Sequence, residues 1–269
     1  MIPAIVSRIR AAVPDAEIVV VDDGSTDGTS EAAAAAGATV YRHHYNKGNG
    51  ASVKTALRRV DARRLVIIDA DGQHPPEMIP ALVAEAETHD LVVGARALAT
   101  EAPWHRTIAN RIFRRLASFL SERDIPDLTS GFRVIDRRKA LEFLHLYPNG
   151  FSFPTTSTLS FLGAGYEVAF VPIQAARRSH SHSKIRPFRD GLRFILIIIR
   201  ISTIINPLRV FVPAAAVTLL AGMAWTARAL MLSGEVSAAG AFLIGAGLNI
   251  LFFGIVLDQL AAMRLKGRE

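Results

Sequence analysis

The sequence predicts an α/β fold: a Rossmann-like, mostly parallel sheet with helices on both faces, followed by an interfacial helix and a two-span transmembrane hairpin. Three observations lead to this prediction. Short apolar runs alternate with helix-like segments through the first two thirds of the chain. Two of these runs, at 18–21 and 65–68, are followed at once by acidic residues. Two long stretches without a charged residue stand near the C-terminus.

The predicted elements follow one another as a βα alternation requires. We predict strands at 18–21, 39–41, 65–68 and 91–94, and helices at 3–13, 29–36, 47–60 and 75–87. Gly37 ends the second helix, and Pro75 and Pro76 begin the fourth, in keeping with the preference of proline for a first turn. The apolar runs are short and rich in β-branched residues, which is typical of strands buried on both faces.

The uncharged stretches at 210–227 and 238–257 are long enough to cross a hydrocarbon core of roughly 30 Å. The turn between them carries no Lys or Arg, whereas basic residues stand before the first stretch and after the second. The positive-inside rule therefore predicts that both termini, and with them the α/β domain, are cytoplasmic. We expect an α/β domain at 1–189, an amphipathic interfacial helix at 190–207, two transmembrane helices within 208–263 and a cytoplasmic tail at 264–269.

Composition narrows the class of protein. The 269 residues carry a net charge of +7 and contain no cysteine, which excludes disulfides and thiolate metal sites. No nucleic-acid-binding motif accompanies the positive charge, so we expect no nucleic acid partner. The arginines near the first apolar stretch indicate a membrane surface instead. The N-terminus lacks the basic and apolar regions of a signal peptide, and none is expected.

Acidic residues stand at the carboxyl ends of two predicted strands. Asp22 and Asp23 follow the first strand, and Asp69 and Asp71 follow the third. In an open α/β sheet, ligands bind at that end. Carboxylates there, in a basic chain, indicate a divalent cation held against phosphate. The arrangement favours an enzyme that acts on a nucleotide-linked substrate.

Several segments resemble the family 2 glycosyltransferases with a GT-A fold, and more closely the transferases that make dolichyl- and undecaprenyl-phosphate sugars. The segments are 21–28, 46–51, 69–76, 127–133 and, before the apolar stretches, Arg178 with 183–185. The resemblance extends over nearly the whole chain. It implies an inverting hexosyltransferase that uses a nucleotide-sugar donor and a polyprenyl phosphate acceptor at the cytoplasmic membrane face.

The resemblance also implies roles for residues at the donor site. Asp22 and Asp23 would contact the base or ribose, and Gly48 and Gly50 would allow a close backbone approach beside the donor. Mg²⁺ or Mn²⁺ on the diphosphate would be held by Asp69, Asp71 and Gln73.

Basic residues are expected at the acceptor phosphate, which is already ionised and needs no dedicated base. Arg96, Arg106, Arg133 and Lys184 are the candidates, and the resemblance puts the segment of Arg133 beside the acceptor. Asp127 either orients such an arginine or acts as a base. Asp71, Asp127 and Arg133 are therefore the expected catalytic residues.

The chain departs from the family pattern at its N-terminus. Family members begin with a strand before the first helix, and we expect that strand to be missing here, which would leave an unpaired edge beside 18–21. Two alternatives stay open: a family 2 transferase with a glycan or diacylglycerol acceptor, and an inactive, truncated membrane scaffold. The identity of the sugar and nucleotide, and the formation of a homo-oligomer, are also left open.

Overall fold

The computed structural model of the chain describes residues 1–96, 104–150, 152–174 and 187–266. Within it the chain forms two compact units, Met1–Ile198 and Ile199–Glu269.

The first unit alternates strands and helices. Its strands are β1 (Val19–Asp22), β2 (Thr39–Arg42), β3 (Arg64–Ile67), β4 (Leu91–Arg96), β5 (Arg133–Asp136) and β6 (Val168–Ile173). Its helices are α1 (Ile2–Ala12), α2 (Thr29–Ala35), α3 (Asn49–Arg59), α4 (Ile79–Glu85, preceded by a 3-10 turn at Pro76–Met78), α5 (Trp104–Ser121), α6 (Arg137–Glu142) and α7 (Phe153–Gly163). The elements predicted up to residue 96 are all present, and their ends differ by at most two residues when the 3-10 turn is counted with α4.

The strands form two sheets. β1 and β2 are a parallel pair, and the second sheet has the order β3-β5-β4-β6. β4 and β6 are parallel, whereas β5 runs antiparallel to both of its neighbours, β3 and β4. The prediction of a mostly parallel sheet missed this insertion, because β5 is only four residues long and begins with the arginine of a motif. Among the described strands, β1 is hydrogen-bonded to β2 alone and β3 to β5 alone.

Helices cover both faces of the four-stranded sheet. Leu91 and Val93 of β4 belong to one buried cluster, which includes residues of α3, α6 and α7. Val92, between them, belongs to a second cluster with Ile79 and Leu82 of α4. Successive side chains of a strand point to opposite faces, so the two clusters lie on the two sides of the sheet.

Burial on both faces holds for β4 but not for β3. All but the last residue of β4 are buried, whereas Val66 of β3 is 36% exposed. The prediction that the 65–68 strand is buried on both faces is therefore wrong. Among the described strands β3 has only β5 beside it, so its side chains lack strand neighbours on the other edge.

The chain continues into α8 (Pro187–Ile205), and the second unit contains the helices α9 (Leu208–Ser233) and α10 (Ala238–Lys266). Segments Leu208–Leu232 and Ala238–Met263 are each long and apolar enough to cross a membrane, judged by length and composition. Only 11% and 17% of their most apolar windows are buried within the protein. A core helix of a soluble protein would be mostly buried, so this exposure favours a membrane hairpin.

Candidate active site

Asp22 is a buried carboxylate at the end of β1. It is 3% exposed and accepts hydrogen bonds from the Ser25 amide at 2.9 Å and from the Ser30 hydroxyl. The guanidinium of Arg42 lies 3.8 Å away. Burial by itself raises the pKa of Asp22, but the hydrogen bonds from the two serines and the charge of Arg42 outweigh it and hold the pKa below its usual value. Asp22 therefore organises the turn after β1 as an ionised group.

Asp23 anchors the loop between β2 and α3. Its carboxylate accepts the backbone amides of Lys47 at 2.8 Å and Gly48 at 2.7 Å, and Nδ1 of His43 lies 2.7 Å from Oδ1. Burial by itself raises the pKa of Asp23, but the hydrogen bond from His43 and those from the two amides lower it below its usual value. Because an ionised carboxylate can only accept, His43 Nδ1 is the donor.

His43 extends this arrangement into α3. Its other ring nitrogen, Nε2, lies 2.8 Å from Oγ1 of Thr55, and the residue is 7% exposed. No motif in the sequence indicated a role for His43 or Thr55. Contacts between β1, β2 and α3 join residues far apart in sequence, so only the fold reveals them.

Gly48 and Gly50 do admit a close approach, but of the protein's own backbone. A Cβ atom added at Gly50 would lie 2.1 Å from the Pro148 carbonyl oxygen, and one added at Gly48 would lie 2.6 Å from that of Asn149. The amide of Gly50 also donates to the carbonyl of Gly150 at 3.1 Å. These glycines therefore have a packing reason in this fold, and their approach to the donor stays a prediction.

Asp69 lies against the backbone of the segment that precedes β5. A Cβ atom added at Gly131 would lie 2.2 Å from Asp69 Oδ2, and the side-chain amide of Asn49 is 3.5 Å from Oδ1. The motif at 69–73 and the motif at 127–133 thus meet, as two parts of one site. The glycine in the second motif leaves room for the carboxylate of the first.

Asp71 and Gln73 follow in the same loop after β3, where the backbone N–H of Gln73 donates to Asp71 Oδ1 at 3.1 Å. Among the described residues, no group of three or more His, Asp or Glu side chains is arranged to hold a metal ion. A cation that is bound together with substrate phosphates needs only one or two protein carboxylates. The oxygen ligands of Asp69, Asp71 and Gln73 fit a hard cation such as Mg²⁺ or Mn²⁺.

His74 packs beside these carboxylates. Its ring stacks on Phe132, with centroids 5.5 Å apart and planes inclined by 25°. Burial lowers the pKa of His74, against the opposing charges of Asp69 and Asp71, so the imidazole is neutral at neutral pH. The stack is a second contact between the two motifs.

Arg96 and Asp127 form a two-pronged ion pair. Nε of Arg96 lies 2.7 Å from Asp127 Oδ2 and Nη2 lies 3.1 Å from Oδ1, and Nη2 also donates to Thr129 Oγ1 at 2.6 Å. Burial by itself raises the pKa of Asp127, but the pair with Arg96 outweighs it and holds the pKa below its usual value. Of the two roles left open for Asp127, this geometry supports the orientation of an arginine, and that arginine is Arg96.

Arg133 is a structural residue in this fold. Its side chain is fully buried, and Nη1 donates to the Pro154 carbonyl at 3.0 Å and to Ser157 Oγ at 2.6 Å. Nη2 donates to the carbonyl of Ser130. Burial lowers the pKa of Arg133 to about 10, so the guanidinium stays charged at neutral pH. The expectation that Arg133 meets the acceptor phosphate is corrected: the side chain joins β5 to α7 and is closed to a ligand.

Of the remaining candidates, Lys184 lies outside the described residues, and the side chain of Arg106 is not among those that the structure describes. The other predicted site residues form two groups. Asp22, Asp23, Gly48 and Gly50 stand around the turn after β1, and Asp69, Asp71, Gln73, Arg96 and Asp127 stand around the loop after β3 and its neighbours.

Residues 1–143 match the family model described as glycosyl transferase family 2. The chain belongs to that family. Residues 206–263 match a second model, described as the GtrB C-terminal hairpin. The resemblance inferred from the motifs is confirmed, and the chain is a glycosyltransferase.

Two curated relatives align with this chain over most of their own length. The chain is 30% identical over 203 residues to an undecaprenyl-phosphate mannosyltransferase of Micrococcus luteus, with 68% of this chain and 82% of the relative covered. It is 33% identical over 202 residues to a polyprenol monophosphomannose synthase of Mycolicibacterium smegmatis, with 68% and 76% covered. The relatives of this glycosyltransferase thus include enzymes that act on polyprenyl phosphates.

Solved structures share the fold. Glucosyl-3-phosphoglycerate synthase from Mycobacterium tuberculosis, in complex with Mn²⁺, UDP and glucosyl-3-phosphoglycerate, has a TM-score of 0.57 and 20% identity, with 73% of this chain and 74% of that chain covered. At this identity the likeness establishes the fold alone. It confirms the predicted GT-A-like architecture of the glycosyltransferase domain.

Proposed function

We propose that this glycosyltransferase moves a hexose, with inversion, from a nucleotide-sugar donor to a polyprenyl phosphate at the cytoplasmic face of a membrane. The observation that carries the proposal is the meeting of Asp69 with Gly131 in a chain that ends in an apolar hairpin. The first motif supplies carboxylates for a phosphate-bound cation, and the second stands beside it. The relatives that use undecaprenyl phosphate and polyprenol support the acceptor.

Asp69, Asp71 and Gln73 are the residues that we propose for Mg²⁺ or Mn²⁺. When bound, the cation would neutralise the negative charge that develops on the leaving diphosphate. A structure of the same fold that contains Mn²⁺ and UDP supports the general use of a divalent cation.

Asp22 and Asp23 are proposed to contact the base or ribose of the donor. The Asp23 carboxylate already accepts three hydrogen bonds from the protein. Two carboxylate oxygens offer about four acceptor positions, so room for one more donor remains. A single base N–H or a ribose hydroxyl matches that remaining capacity.

Arg96 is proposed to meet the acceptor phosphate, with Asp127 as its positioning residue. The Arg96 side chain is 35% exposed, whereas that of Asp127 is 9% exposed. A guanidinium fixed by a buried carboxylate loses little freedom when it binds an anion. Lys184 remains a second proposed cation for the same phosphate.

We also propose the domain organisation expected from the sequence: a catalytic domain at 1–189, an interfacial helix at 190–207, two spans within 208–263 and a tail at 264–269. The helix α8 and the two apolar helices support it. The arginines around the hairpin support cytoplasmic termini.

The test is transfer of label to lipid. The purified chain is incubated with Mn²⁺, undecaprenyl phosphate and radiolabelled UDP-glucose, UDP-galactose, UDP-N-acetylglucosamine or GDP-mannose. We expect one donor to yield an acid-labile, solvent-extractable lipid, and Asp71→Ala to abolish its formation. Asp15→Ala removes an exposed carboxylate in the loop after α1 and is the matched control.

Two results would redirect the proposal. Labelling of a glycan or diacylglycerol, with none of undecaprenyl phosphate, would establish the alternative acceptor. Failure to bind either UDP or GDP in the presence of Mn²⁺ would instead favour the non-catalytic scaffold.

A further inference from the structure

Asn49 stands between the two groups of candidate site residues. It is the first residue of α3 and follows Gly48, whose amide donates to the Asp23 carboxylate at 2.7 Å. The side-chain Nδ2 of Asn49 lies 3.5 Å from Oδ1 of Asp69, in the loop after β3. One short segment therefore joins the carboxylate proposed for the nucleoside to a carboxylate proposed for the cation.

The backbone that follows Asn49 is held firmly in place. The amide of Gly50 donates to the carbonyl of Gly150 at 3.1 Å, and the amide of Ala51 donates to the carbonyl of Asn149 at 2.7 Å. These bonds satisfy two of the amides that the start of a helix leaves without an internal partner. A side chain on a fixed backbone loses little freedom when it holds a partner, so the start of α3 suits Asn49 for that task.

Asp69 is the site carboxylate that most needs such a partner. Asp22 accepts two hydrogen bonds and Asp23 accepts three. Within the part of the chain that the structure describes, the one hydrogen bond that Asp69 accepts comes from Asn49. The other oxygen of Asp69, Oδ2, lies where a Cβ atom added at Gly131 would be only 2.2 Å away. Gly131 thus limits the position of Oδ2, and Asn49 is the group that holds Oδ1.

A neutral amide is well suited to hold a carboxylate that also binds a cation. Ligating carboxylates are themselves hydrogen-bonded, and these outer partners orient the ligand. A carboxamide donates an N–H without a positive charge, so it does not repel the cation as a lysine or arginine in its place would. The distance of 3.5 Å is at the long limit of a hydrogen bond. Such bonds are often long in a site without its ligands and tighten in the complex.

We propose that Asn49 is a positioning residue for the cation: its amide orients Asp69 and thereby raises the affinity of the site for Mg²⁺ or Mn²⁺. The inference rests on the proposed function, which assigns the cation to Asp69, Asp71 and Gln73. It adds a residue of the donor-side segment to the support of the cation.

Mn²⁺ binding measures the effect directly. The full chain in detergent is titrated with Mn²⁺ at saturating UDP or GDP, and free Mn²⁺ is followed by its electron paramagnetic resonance signal. Asn49→Leu keeps the approximate size of the side chain and removes the amide. We expect the Kd for Mn²⁺ to rise about 10-fold, at the lower end of the range for outer-shell partners. The thermal unfolding midpoint should change little, because Asn49 is exposed.

Two further variants serve as controls. Arg58→Ala removes an exposed side chain in the last turn of the same helix, and it should bind Mn²⁺ like the unaltered protein. Asn49→Gln keeps an amide donor on the same backbone. It should retain more of the Mn²⁺ affinity than Asn49→Leu does.

A double variant separates positioning from direct coordination. Asp69→Asn alone should weaken Mn²⁺ binding, since it removes an anionic oxygen ligand. If Asn49 acts through Asp69, adding Asn49→Leu to Asp69→Asn should cost no further affinity, because coupled residues give non-additive effects. Additive losses would show that Asn49 meets the cation or the nucleotide by itself, and they would overturn the positioning role.

Two other results would also overturn the proposal. Equal Mn²⁺ affinities of Asn49→Leu and the unaltered protein would do so and would leave the proposed function intact. If the unaltered protein binds no Mn²⁺ with either nucleotide, this inference fails together with the proposed cation.

Discussion

Replacing Gly131 by alanine should damage the site while leaving the fold in place. The added Cβ would lie 2.2 Å from Oδ2 and 2.8 Å from Cγ of Asp69. Non-bonded heavy atoms need about 3.5 Å, so the carboxylate must move by more than about 1 Å. The atom that is met is the end of a side chain, which can rotate away without a change in the backbone. We therefore expect a folded protein with a displaced candidate metal ligand.

The size of the effect follows from that displacement. A misplacement of about 1 Å costs on the order of 10²-fold in rate, and loss of ligand positioning costs about 10- to 100-fold in metal affinity. The assays are Mn²⁺ binding in the presence of UDP, sugar transfer, and thermal unfolding in detergent. Both binding and transfer should fall, while the unfolding midpoint changes by no more than a few degrees.

Gly150→Ala is the matched control, because a Cβ atom added at Gly150 meets nothing within 4 Å. It should bind Mn²⁺ and transfer sugar like the unaltered protein. If Gly131→Ala does the same, Asp69 is not a ligand whose position matters, and the argument from the close contact fails. If Gly131→Ala does not fold, binding and transfer are measured on Asp69→Asn, which keeps the size of the side chain and removes its charge.

Three further predictions follow. Arg133→Lys should destabilise the fold by roughly 2–4 kcal/mol in chemical denaturation, because an ammonium cannot reproduce all the buried hydrogen bonds of the guanidinium. If the variant instead keeps its stability and shows a raised KM for polyprenyl phosphate, Arg133 binds the acceptor after all. Asp127→Asn should lower stability by about 1–3 kcal/mol at neutral pH. The depressed pKa of Asp127 stabilises the fold above the unfolded-state pKa, and this contribution is lost as pH falls through the folded-state pKa. The unaltered protein should therefore lose more stability on acidification than Asp127→Asn, and parallel losses would contradict the ion-pair argument. Protease added to sealed, right-side-out vesicles should leave residues 1–189 uncut, since the arginine distribution predicts a cytoplasmic domain; cleavage there would reverse the orientation.

Local patterns in the sequence determined much of this protein. Strand and helix periods are properties of neighbouring residues, so the alternation up to β4 could be predicted from the order of apolar and polar side chains. The same holds for α9 and α10, whose length and long uncharged stretches indicate membrane spans without reference to any partner. The acidic motifs could be assigned to strand ends because each follows a recognisable apolar run.

Only the tertiary structure decided what each motif residue contacts. The sequence offered both Arg96 and Arg133 as cations and favoured Arg133, which lies in a matched motif. In the structure Arg96 pairs with Asp127 near the surface, whereas Arg133 is buried among carbonyls and hydroxyls. A guanidinium can bind either a ligand or the protein itself, and burial is the property that separates the two. The contacts of Gly48, His43 and β5 could not be predicted from the sequence either, because their partners are distant in the chain. Such contacts arise from the packing of whole elements, which residue order in one segment does not reveal.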